Sequence, residues 1–352
     1  MELARIDSKY YCGVDLHARS MFICIMDKSG NILLHRNMQN NFDIFKTYVG
    51  DYIHDLAIGV ETSYSYYWLS DACRRAGIPF YLGHAYYMKC IHGGKKKNDK
   101  LDSKKIADLM RSNHFPLAYP YPEEMRATRD LLRRRHRHVR LRAEAYGHIQ
   151  KIFTQQGMLQ IQPIEVKRSK ERRGLLTHFE DPELRLMIES DLDFIDSQDI
   201  IIQKLEQRIR ANAKYHDRAA FNILLSVPGI GDMYALTILY EIQNIGRFSS
   251  HQKFCSYCRL VRCDRSSAGH KTGGGNQKIG NPYLKWAIGD IIIHAKRTSS
   301  YISQYYDRLI SKTGKRKAQA IIRHKFGIAI YYMLKNRKAF DEIIFIQSMM
   351  KA

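Results

Sequence analysis

The sequence contains few of the features that mark secreted or membrane proteins. Its first residues, MELARIDSKYYCGVD, have no apolar core of the kind that a signal peptide needs. No stretch is long and apolar enough to span a bilayer. The seven cysteines are an odd number without the spacing of a disulfide framework, which is typical of a reducing compartment. These absences predict a cytoplasmic protein without a membrane partner.

Acidic residues are also scarce. Asp and Glu number 35 against 57 Lys and Arg, and the formal net charge is +22. The basic residues cluster along the chain, which favours nucleic-acid binding over general solubility. The length of 352 residues and a hydrophobic content of 45% allow two or three domains with real cores. We predict three, at residues 8–118, 122–222 and 223–345.

The first of these segments has the pattern of an α/β domain. Apolar runs and turn signals predict strands, and one-sided apolar spacing predicts helices. The order is three strands (10–17, 20–27 and 32–38), a helix (41–53), a strand (56–62), a helix (64–76) and a strand (78–84). This order is that of the ribonuclease-H-like, or RuvC-like, fold, which is an analogy at the level of the fold.

Four of the few acidic residues fall where that fold would bring them together. Asp15 lies in the first predicted strand and Glu61 at the end of the fourth. Asp99 and Asp102 begin a predicted helix and share one face of it. Either one alone would more often cap the helix or complement its dipole. Together the four carboxylates predict a catalytic site for Mg²⁺, with Mn²⁺ as an alternative ion, and such a site suits phosphodiester chemistry.

Two basic segments predict contacts with a phosphate backbone. GGKKKNDK contributes Lys95, Lys96 and Lys97. RATRDLLRRRHRHVRLR, at 126–142, predicts an amphipathic helix whose arginines grip phosphates, although a solvated helix face would look similar. The arginines that we assign to nucleic-acid binding are Arg133, Arg134, Arg135, Arg137, Arg140 and Arg142.

The middle segment also carries a heptad pattern. Ile188, Ile195, Ile202 and Ile209 recur every seven residues, which predicts a helical coiled-coil seam. Asp191 and Gln198 occupy seam positions that an ideal coiled coil would make apolar. The partner is either the predicted helix at 124–157 or a second subunit.

The third segment is predicted to be mainly helical. VPGIGDMYALTILYEI resembles a helix-hairpin-helix, in which Gly229 and Gly231 would open a helix N-terminus to a phosphate, and the alternative is a tight turn between packed helices. A loop rich in glycine, serine and basic residues follows; it contains Ser266, Ser267 and Lys271. A serine is a poor nucleophile unless it is positioned and activated. Zinc is disfavoured, because Cys255, Cys258, Cys263 and His270 lack a second properly spaced pair.

Together these segments resemble the transposases of insertion-sequence family 110 (IS110/IS1111 type), which include Piv-like DNA invertases. The resemblance covers nearly the whole chain. Its N-terminal part is the Asp-Glu-Asp-Asp (DEDD) set within GVDLH, GVET and KNDKLDS. Its C-terminal part is VPGIGDMYALTILYEI, GRFSS, RSSAGHK and KIGNPYLK. Counting back from Gly280-Asn281 aligns Ser267 with the catalytic serine of the family, and Ser266 is the alternative. Ala268 stands where the family usually has Gly, and CRLVRCD replaces its Gly-Leu-x-Pro.

The resemblance implies site-specific DNA recombination. The serine would attack a phosphodiester and hold the DNA covalently, while Mg²⁺ on the four carboxylates would activate the serine and stabilise the leaving group. Asp15 and Glu61 would be bridging ligands. Because the serine is far from the carboxylates in sequence, packing of domains or subunits would assemble the site. The implied partners are element and target DNA, a structured noncoding guide (bridge) RNA, and further copies in a homodimer or homotetramer. The implied location is nucleoid-associated in a prokaryote.

Two other functions remain open from the residues alone. A RuvC-like nuclease or Holliday-junction resolvase would use the carboxylates and a water nucleophile, without the serine. A nonenzymatic nucleic-acid-binding protein would use neither metal nor serine, but it is disfavoured because buried acids without a partner are costly. Within the family, a transposase and an invertase differ in their DNA sites rather than in the protein.

Overall fold

The computed structural model divides into two compact units, residues 1–124 (unit 1) and residues 125–352 (unit 2). The predicted boundary near residue 120 lies close to this division, whereas the predicted boundary at 222–223 falls inside unit 2. The structure describes residues 3–91, 98–158, 172–213, 217–261, 264–267, 270–274 and 279–350.

Unit 1 is a mixed sheet covered by helices. Its elements are β1 (Tyr10–Leu16), β2 (Ser20–Asp27), β3 (Ile32–Gln39), α1 (Phe42–Val49), a 3₁₀ helix (Gly50–Asp55), β4 (Leu56–Glu61), α2 (Tyr66–Arg75), β5 (Phe80–Gly83), α3 (Ala85–Ile91) and α4 (Asp99–Arg111). The strand order is β3-β2-β1-β4-β5. β1 pairs antiparallel with β2 and parallel with β4, and β4 pairs parallel with β5. This arrangement is compatible with the predicted ribonuclease-H-like fold.

Strand β1 is buried on both faces, as expected of a strand at the centre of such a sheet. Cys12, Val14 and Leu16 face the core that α1 and α2 cover. Tyr11 points to the other face and shares a core with Ile106 of α4. The alternation of side chains along the strand therefore separates two cores and fixes the register of β1.

Helix α4 approaches the sheet closely because two paired glycines leave room for it. Gly13 of β1 and Gly59 of β4 are partners in the parallel register. A Cβ on Gly13 would lie 2.1 Å from the backbone oxygen of Ser103 and 2.3 Å from the backbone nitrogen of Ala107. A Cβ on Gly59 would lie 2.3 Å from the sulfur of Met110. A larger residue at Gly13 would overlap the backbone of α4 and push the helix away, whereas one at Gly59 would displace the Met110 side chain.

Unit 2 is mainly helical, as predicted. Its elements are α5 (Glu123–Gln155, which begins at the unit boundary), a 3₁₀ helix (Arg172–His178), α6 (Pro182–Ala213), α7 (Arg218–Leu225), α8 (Asp232–Ile242), a 3₁₀ helix (Ile245–Arg247), α9 (His251–Tyr257), β6 (Asp264–Ser267), β7 (His270–Gly274), α10 (Pro282–Thr298), α11 (Ser300–Thr313), α12 (Lys315–Asn336) and α13 (Glu342–Met350). β6 and β7 form an antiparallel hairpin. Among the described residues of the chain, no helix has the length and apolar character needed to cross a bilayer.

Two of the four heptad isoleucines of α6 pack against α5 of the same chain. Ile188 and Ile195 share a core with Ile149 and Phe153 of α5. The polar seam positions also find partners on α5. Gln198 Oε1 lies 2.7 Å from His138 Nδ1, and an Asp191 carboxylate oxygen lies 3.8 Å from His148 Nδ1. The two helices therefore run antiparallel, while supercoiling between them stays a prediction.

The close approach of α4 predicts a large effect of one methyl group. We expect Gly13→Ala to destabilise unit 1 by about 3 kcal/mol, because the new Cβ would overlap backbone atoms that cannot rotate away. Chemical denaturation followed by circular dichroism measures the change. Gly50→Ala is the control, since a Cβ at Gly50 meets nothing within 4 Å and its φ is −51°. Equal stabilities of the two variants would contradict the packing argument.

Candidate functional site

The two strand-borne acids follow paired residues at the carboxyl ends of β1 and β4. Val14 and Val60 are partners in the parallel register, and Asp15 and Glu61 each follow by one residue. Both acids are two residues beyond the paired glycines, so they share the face of the sheet that α4 covers. The Asp15 side chain is only 17% exposed, whereas Glu61 is exposed. The sheet thus presents two carboxylates at the carboxyl ends of neighbouring parallel strands.

The first turn of α4 adds the other two acids. Asn98 is the N-cap of this helix, and its side-chain oxygen accepts a hydrogen bond of 2.7 Å from the Leu101 N–H. Because Asn98 caps the helix, Asp99 and Asp102 are not needed for capping. Their side chains are 57% and 21% exposed. Their place in the first turn still suits the helix dipole.

Asp15, Asp99 and His17 converge on one point. His17 Nε2 lies 3.3 Å from a carboxylate oxygen of Asp15 and 3.3 Å from one of Asp99. One potential ligand atom from each of the three lies within 4.8 Å of the others. Asp102 is close enough for its charge to act on Asp15. The structure therefore brings together three of the four predicted acids, and the β1–β4 register places Glu61 opposite Asp15.

The electrostatics of this cluster oppose the ionised form of Asp15. Burial raises the pKa of the Asp15 carboxyl, and the charges of Asp99 and Asp102 raise it further, against an opposing effect of His17. A set of oxygen donors that repel one another is the type of site that Mg²⁺ or Mn²⁺ stabilises. The residues thus fit a divalent cation, consistent with the prediction from sequence.

His17 was missed by the sequence reasoning. It follows the end of β1 and stands two residues after Asp15, so the strand spacing places the two on the same face. That i, i+2 relation is visible in the sequence and could have identified it.

His35 of β3 fixes the first turn of α4 against the sheet. Its Nε2 lies 2.9 Å from the Lys100 carbonyl oxygen and 3.3 Å from the Ser103 hydroxyl. Burial lowers the pKa of His35, which favours the neutral ring whose N–H donates to that carbonyl. The position of Asp99 and Asp102 therefore depends on β3 as well as on the glycine pair.

The predicted nucleic-acid contacts on α5 fall into two groups. Arg133, Arg135 and Arg142 form ion pairs with acidic residues of α8 and α6, namely Glu241, Glu206 and Asp199. Arg134, Arg137 and Arg140 are exposed at a spacing of three residues. The second group is free to meet a phosphate backbone. The predicted residues Lys95, Lys96 and Lys97 lie outside the described residues.

Glu241 is the centre of a buried charge cluster, and its side chain is 1% exposed. Arg133 Nε donates to it at 2.6 Å, Arg129 Nε at 3.1 Å and the Asn281 side-chain amide at 2.7 Å. Burial alone would raise the pKa of Glu241, but the two arginines and the amide outweigh burial and hold that pKa below its ordinary 4.5. The cluster ties α5, α8 and the start of α10 together.

The two candidate serines lie in a β-hairpin instead of the flexible loop that the sequence suggested. Ser266 pairs with Lys271 along the backbone, and Ser267 pairs with His270. The side chains of Ser266, Ser267 and Lys271 lie outside the described atoms, so their roles stay predictions.

Two segments that flank this hairpin in the sequence contact each other in unit 2. Arg259 Nε donates a hydrogen bond of 2.9 Å to the Gly280 carbonyl. The Asn281 N–H donates to the Tyr257 carbonyl at 2.6 Å. Asn281 also caps α10 by accepting from the N–H groups of Tyr283 and Leu284. Gly280-Asn281 therefore joins the end of α9 to the start of α10, and the Asn281 side chain reaches Glu241 of α8.

The departure from Gly-Leu-x-Pro also has a structural counterpart. Arg259, which precedes Leu260, has a φ of +56°, in the left-handed region that favours glycine. The backbone keeps a shape suited to glycine even though this chain has arginine there.

The two glycines of the VPGIG turn differ in their surroundings. Gly229 has a φ of +89°, and a Cβ on it would lie 2.5 Å from the backbone nitrogen of Ala295 in α10. Gly231 is the N-cap of α8, and a Cβ there would meet nothing within 4 Å. Gly229 thus allows close packing, and Gly231 leaves the helix N-terminus open; phosphate binding at either stays a prediction.

The two described cysteines of the zinc set that the sequence disfavoured are core residues. Cys255 and Cys258 are buried, and burial raises the pKa of Cys255 to about 11. Cys263 lies outside the described residues.

Comparison with known proteins points to one family along most of the chain. A family model described as a transposase of the DEDD type of IS110 matches residues 12–157. A second model, described as the transposase IS116/IS110/IS902 family, matches residues 221–307. The transposase for insertion sequence element IS1111A of Coxiella burnetii is 21% identical over 339 residues, which cover 93% of this chain and 90% of that protein. The first match contains the carboxylate cluster, and the second contains the serine hairpin.

The carboxylate cluster predicts a metal-dependent stability of unit 1. We expect MgCl2 or MnCl2 to raise the melting temperature of the wild type, since an ion at a hundred times its Kd adds about 2.7 kcal/mol. In Asp15→Asn this rise should vanish, while the metal-free variant should be more stable than metal-free wild type because repulsion is relieved. Differential scanning calorimetry measures both effects.

Asp108→Asn is the matched control, because Asp108 lies on the same helix and pairs with Arg111. It should retain the metal-dependent rise. If Asp15→Asn retained the rise as well, the cluster would not be the metal site.

The buried Glu241 cluster predicts a defined pH dependence of unit 2. Because its pKa is lower in the folded protein than in the unfolded chain, Glu241 stabilises the fold above about pH 4.5 and loses this contribution as the pH falls through the lowered pKa. We expect Glu241→Gln to cost about 3 kcal/mol at pH 7, because Arg129 and Arg133 lose a buried partner, and to flatten the acid dependence. Urea denaturation across pH measures this.

Glu206→Gln is the comparison variant, since Glu206 is 18% exposed against 1% for Glu241, and one of its two arginine partners, Arg210, is 47% exposed. Because water can replace part of its interactions, it should cost less, about 1 kcal/mol. Equal costs for the two variants would show that burial does not set the strength of the Glu241 cluster.

Proposed function

Because the chain belongs to the IS116/IS110/IS902 transposase family, and is thus of a kind that cuts and rejoins DNA, we propose that it recombines an insertion sequence through a metal-dependent covalent phosphoserine step. The observation that carries this proposal is the convergence of Asp15 and Asp99, with Asp102 within electrostatic reach and Glu61 in register. The acids come from two strands and one helix, so the fold holds them in place.

The four carboxylates of Asp15, Glu61, Asp99 and Asp102 would hold the divalent cation. When bound, the cation supplies positive charge that favours ionisation of the attacking hydroxyl and stabilises the departing oxygen. Asp15 is suited to this role because its position is fixed by β1 and by the packing of α4 on Gly13. Glu61 is more exposed and is thus accessible to a substrate.

The attacking group would be the hydroxyl of Ser267, with Ser266 as the alternative. Its oxygen forms a bond to the phosphorus of a phosphodiester, and the bond from that phosphorus to one sugar oxygen breaks. The hydroxyl proton is lost to solvent, and the released sugar oxygen takes up a proton. The bond between the phosphate and the serine replaces the phosphodiester bond that is broken, so its energy is conserved. A second sugar hydroxyl can therefore attack this phosphate, release the serine and rejoin a strand.

The β-hairpin supports a serine nucleophile. Effective attack needs an oxygen held within a few tenths of an ångström of its productive place. The backbones of Ser266 and Ser267 are paired with β7, so both residues belong to a hydrogen-bonded strand, which reduces the number of backbone conformations that they can adopt.

The DNA of the element ends and target would contact the exposed basic surface, together with a structured noncoding guide RNA. Arg134, Arg137 and Arg140 support this, since they are exposed and follow one side of α5. The net charge of +22 supplies the long-range attraction. Such binding would place the protein with the nucleoid.

A homodimer, or a tetramer built from dimers, would complete the proposal. Met187, Phe194 and Ile201 of α6 are 53%, 40% and 37% exposed, and they repeat every seven residues. This stripe is distinct from the isoleucines that pack on α5. A heptad of exposed apolar residues is suited to a second copy of the same helix.

A covalent-trapping assay tests the mechanism. The protein, the RNA of the element's ends and a labelled DNA carrying the element junction are incubated with Mg²⁺ and separated on a denaturing gel. We expect a protein–DNA adduct in the wild type that is lost in Asp15→Asn and in Ser267→Ala, each by at least about a hundredfold, because the nucleophile or the metal ligand is removed. Peptide mapping of the adduct identifies the modified serine.

Ser267→Ala and Ser266→Ala form a matched pair in one strand. If the adduct persists in the first and is lost in the second, Ser266 is the nucleophile. Cleavage without an adduct, unchanged in both variants, would instead establish a RuvC-like nuclease that uses water.

A further inference from the structure

A basic cavity lies in unit 2 between α10, α11 and α12. Its volume is about 460 Å³, and no acidic residue lines it. The cationic residues of its wall are Lys296 and Arg297 from α10 and Lys315 and Arg323 from α12. The sequence predicts a phosphate-contacting face that includes Lys315 and Arg323, whereas Lys296 and Arg297 join this group only through the fold.

Each helix presents one face to the cavity. On α10 the lining positions include Gly289, Ile292 and Lys296, at spacings of three and four residues. On α12, Lys315, Gln319 and Arg323 recur every four residues. This periodicity indicates two continuous helix faces that converge. Regular helices therefore form the wall of the cavity.

Most of the positive charge in the wall is uncompensated. Lys296 is the exception, since its Nζ lies 2.8 Å from an Asp307 carboxylate oxygen and 4.7 Å from the ring centre of Tyr306. Within the described part of the chain, Arg297, Lys315 and Arg323 have no ion pair. Three cations that share one concave wall repel one another, and an anion between them would relieve this repulsion.

Arg323 provides an independent indication of a ligand. Its Nε is buried and lacks a hydrogen-bond partner among the described residues. A Cβ on Gly289 would lie 3.4 Å from this Nε and 3.6 Å from Cζ, so the glycine leaves room for the guanidinium against α10. A buried N–H without an acceptor is costly. The guanidinium is therefore placed as a donor that an anionic ligand would satisfy.

We propose that this cavity binds a phosphodiester group of the nucleic acid on which the protein acts. A guanidinium fork and an ammonium match phosphate oxygens in charge and geometry. Ile292 and Ile293 in the same wall offer an apolar surface to the adjoining sugar or base. The inference rests on the proposed function for its choice of nucleic acid, since inorganic phosphate shares the same chemistry.

Two double variants of the full chain test this assignment. The first, Arg297→Gln with Lys315→Gln, removes two exposed cations of the cavity wall. The second, Arg316→Gln with Lys317→Gln, removes the same charge from the first turn of α12 at exposed positions outside the wall. Fluorescence anisotropy measures the binding of labelled duplex DNA and of a labelled RNA hairpin across a range of salt concentrations. A melting curve with inorganic phosphate is recorded for each protein.

We expect the cavity variant to bind DNA, RNA or both about tenfold more weakly than the control variant. The slope of log affinity against log salt concentration should also be smaller in magnitude by about one for the cavity variant, as expected when one phosphate contact is lost. Loss for one nucleic acid alone identifies that one as the ligand. Equal weakening by both variants would overturn the proposal, because the effect would then be one of net charge.

Two further results distinguish this proposal from the proposed function. If inorganic phosphate stabilises only proteins with an intact cavity while nucleic-acid affinities of the two variants are equal, the cavity is a free-anion site and the assignment is wrong. If the wild type forms no covalent adduct but the tenfold difference in binding remains, the phosphoserine mechanism fails and the cavity assignment stands.

Discussion

Helix α4 touches the backbone of β1 at Gly13, and the position of the whole carboxylate cluster follows from that contact. The helix brings Asp99 and Asp102 in its first turn toward the end of β1, where Asp15 lies. The acids repel one another, and burial raises the pKa of Asp15, so the cluster opposes folding. The apolar side of α4 offsets this, since Ile106 and Met110 are buried against the sheet. In unit 1, the burial of apolar side chains therefore offsets the electrostatic repulsion among the carboxylates. Functional sites commonly lower the stability of a fold in this way.

The charge of unit 2 has two separate uses. Part of it neutralises buried acids, as in the contacts of Arg129 and Arg133 with Glu241. Another part stays at the surface or in the wall of the α10–α12 cavity. The two parts respond differently to solvent, because salt screens exposed charges and hardly affects buried pairs. The basic residues of unit 2 thus include groups that stabilise its helical fold and groups that are available to a polyanion.

The elements of unit 1 could be predicted well because their signals are local. Apolar runs marked β1 and β4, and the sequence placed Asp15 in the first of these strands and Glu61 at the end of the second. The first turn of α4 was also predicted, although Asn98 rather than an aspartate caps it. The sequence did not predict how closely α4 packs on the sheet. This packing depends on two glycines, Gly13 and Gly59, that are 46 positions apart in the sequence and paired in the sheet.

Prediction was weaker where function depends on pairing between distant residues. The arginines of α5 are alike in sequence, yet Arg133 is paired with Glu241 across 108 positions while Arg134 is exposed. Helical periodicity gives the direction of a side chain, but only the packing of α8 and α6 on α5 decides which arginines meet an acid. The grouping of the cavity cations depends on packing for the same reason, because Lys296 and Arg297 of α10 meet Lys315 and Arg323 only where α10 and α12 converge.

The Gly280-Asn281 pair shows how packing can fix a short part of a sequence motif. Gly280 has a φ of +90°, a conformation that favours glycine, and a Cβ there would lie 2.6 Å from the Tyr257 carbonyl oxygen. Asn281 caps α10 by accepting from the N–H of Tyr283, and its side-chain amide donates to the buried Glu241. A larger residue at position 280 would collide with the end of α9, and a residue without an amide at position 281 would lose both the cap and a partner of Glu241. The pair is therefore required by contacts with α8, α9 and α10, whatever the residues between β7 and Gly280 are.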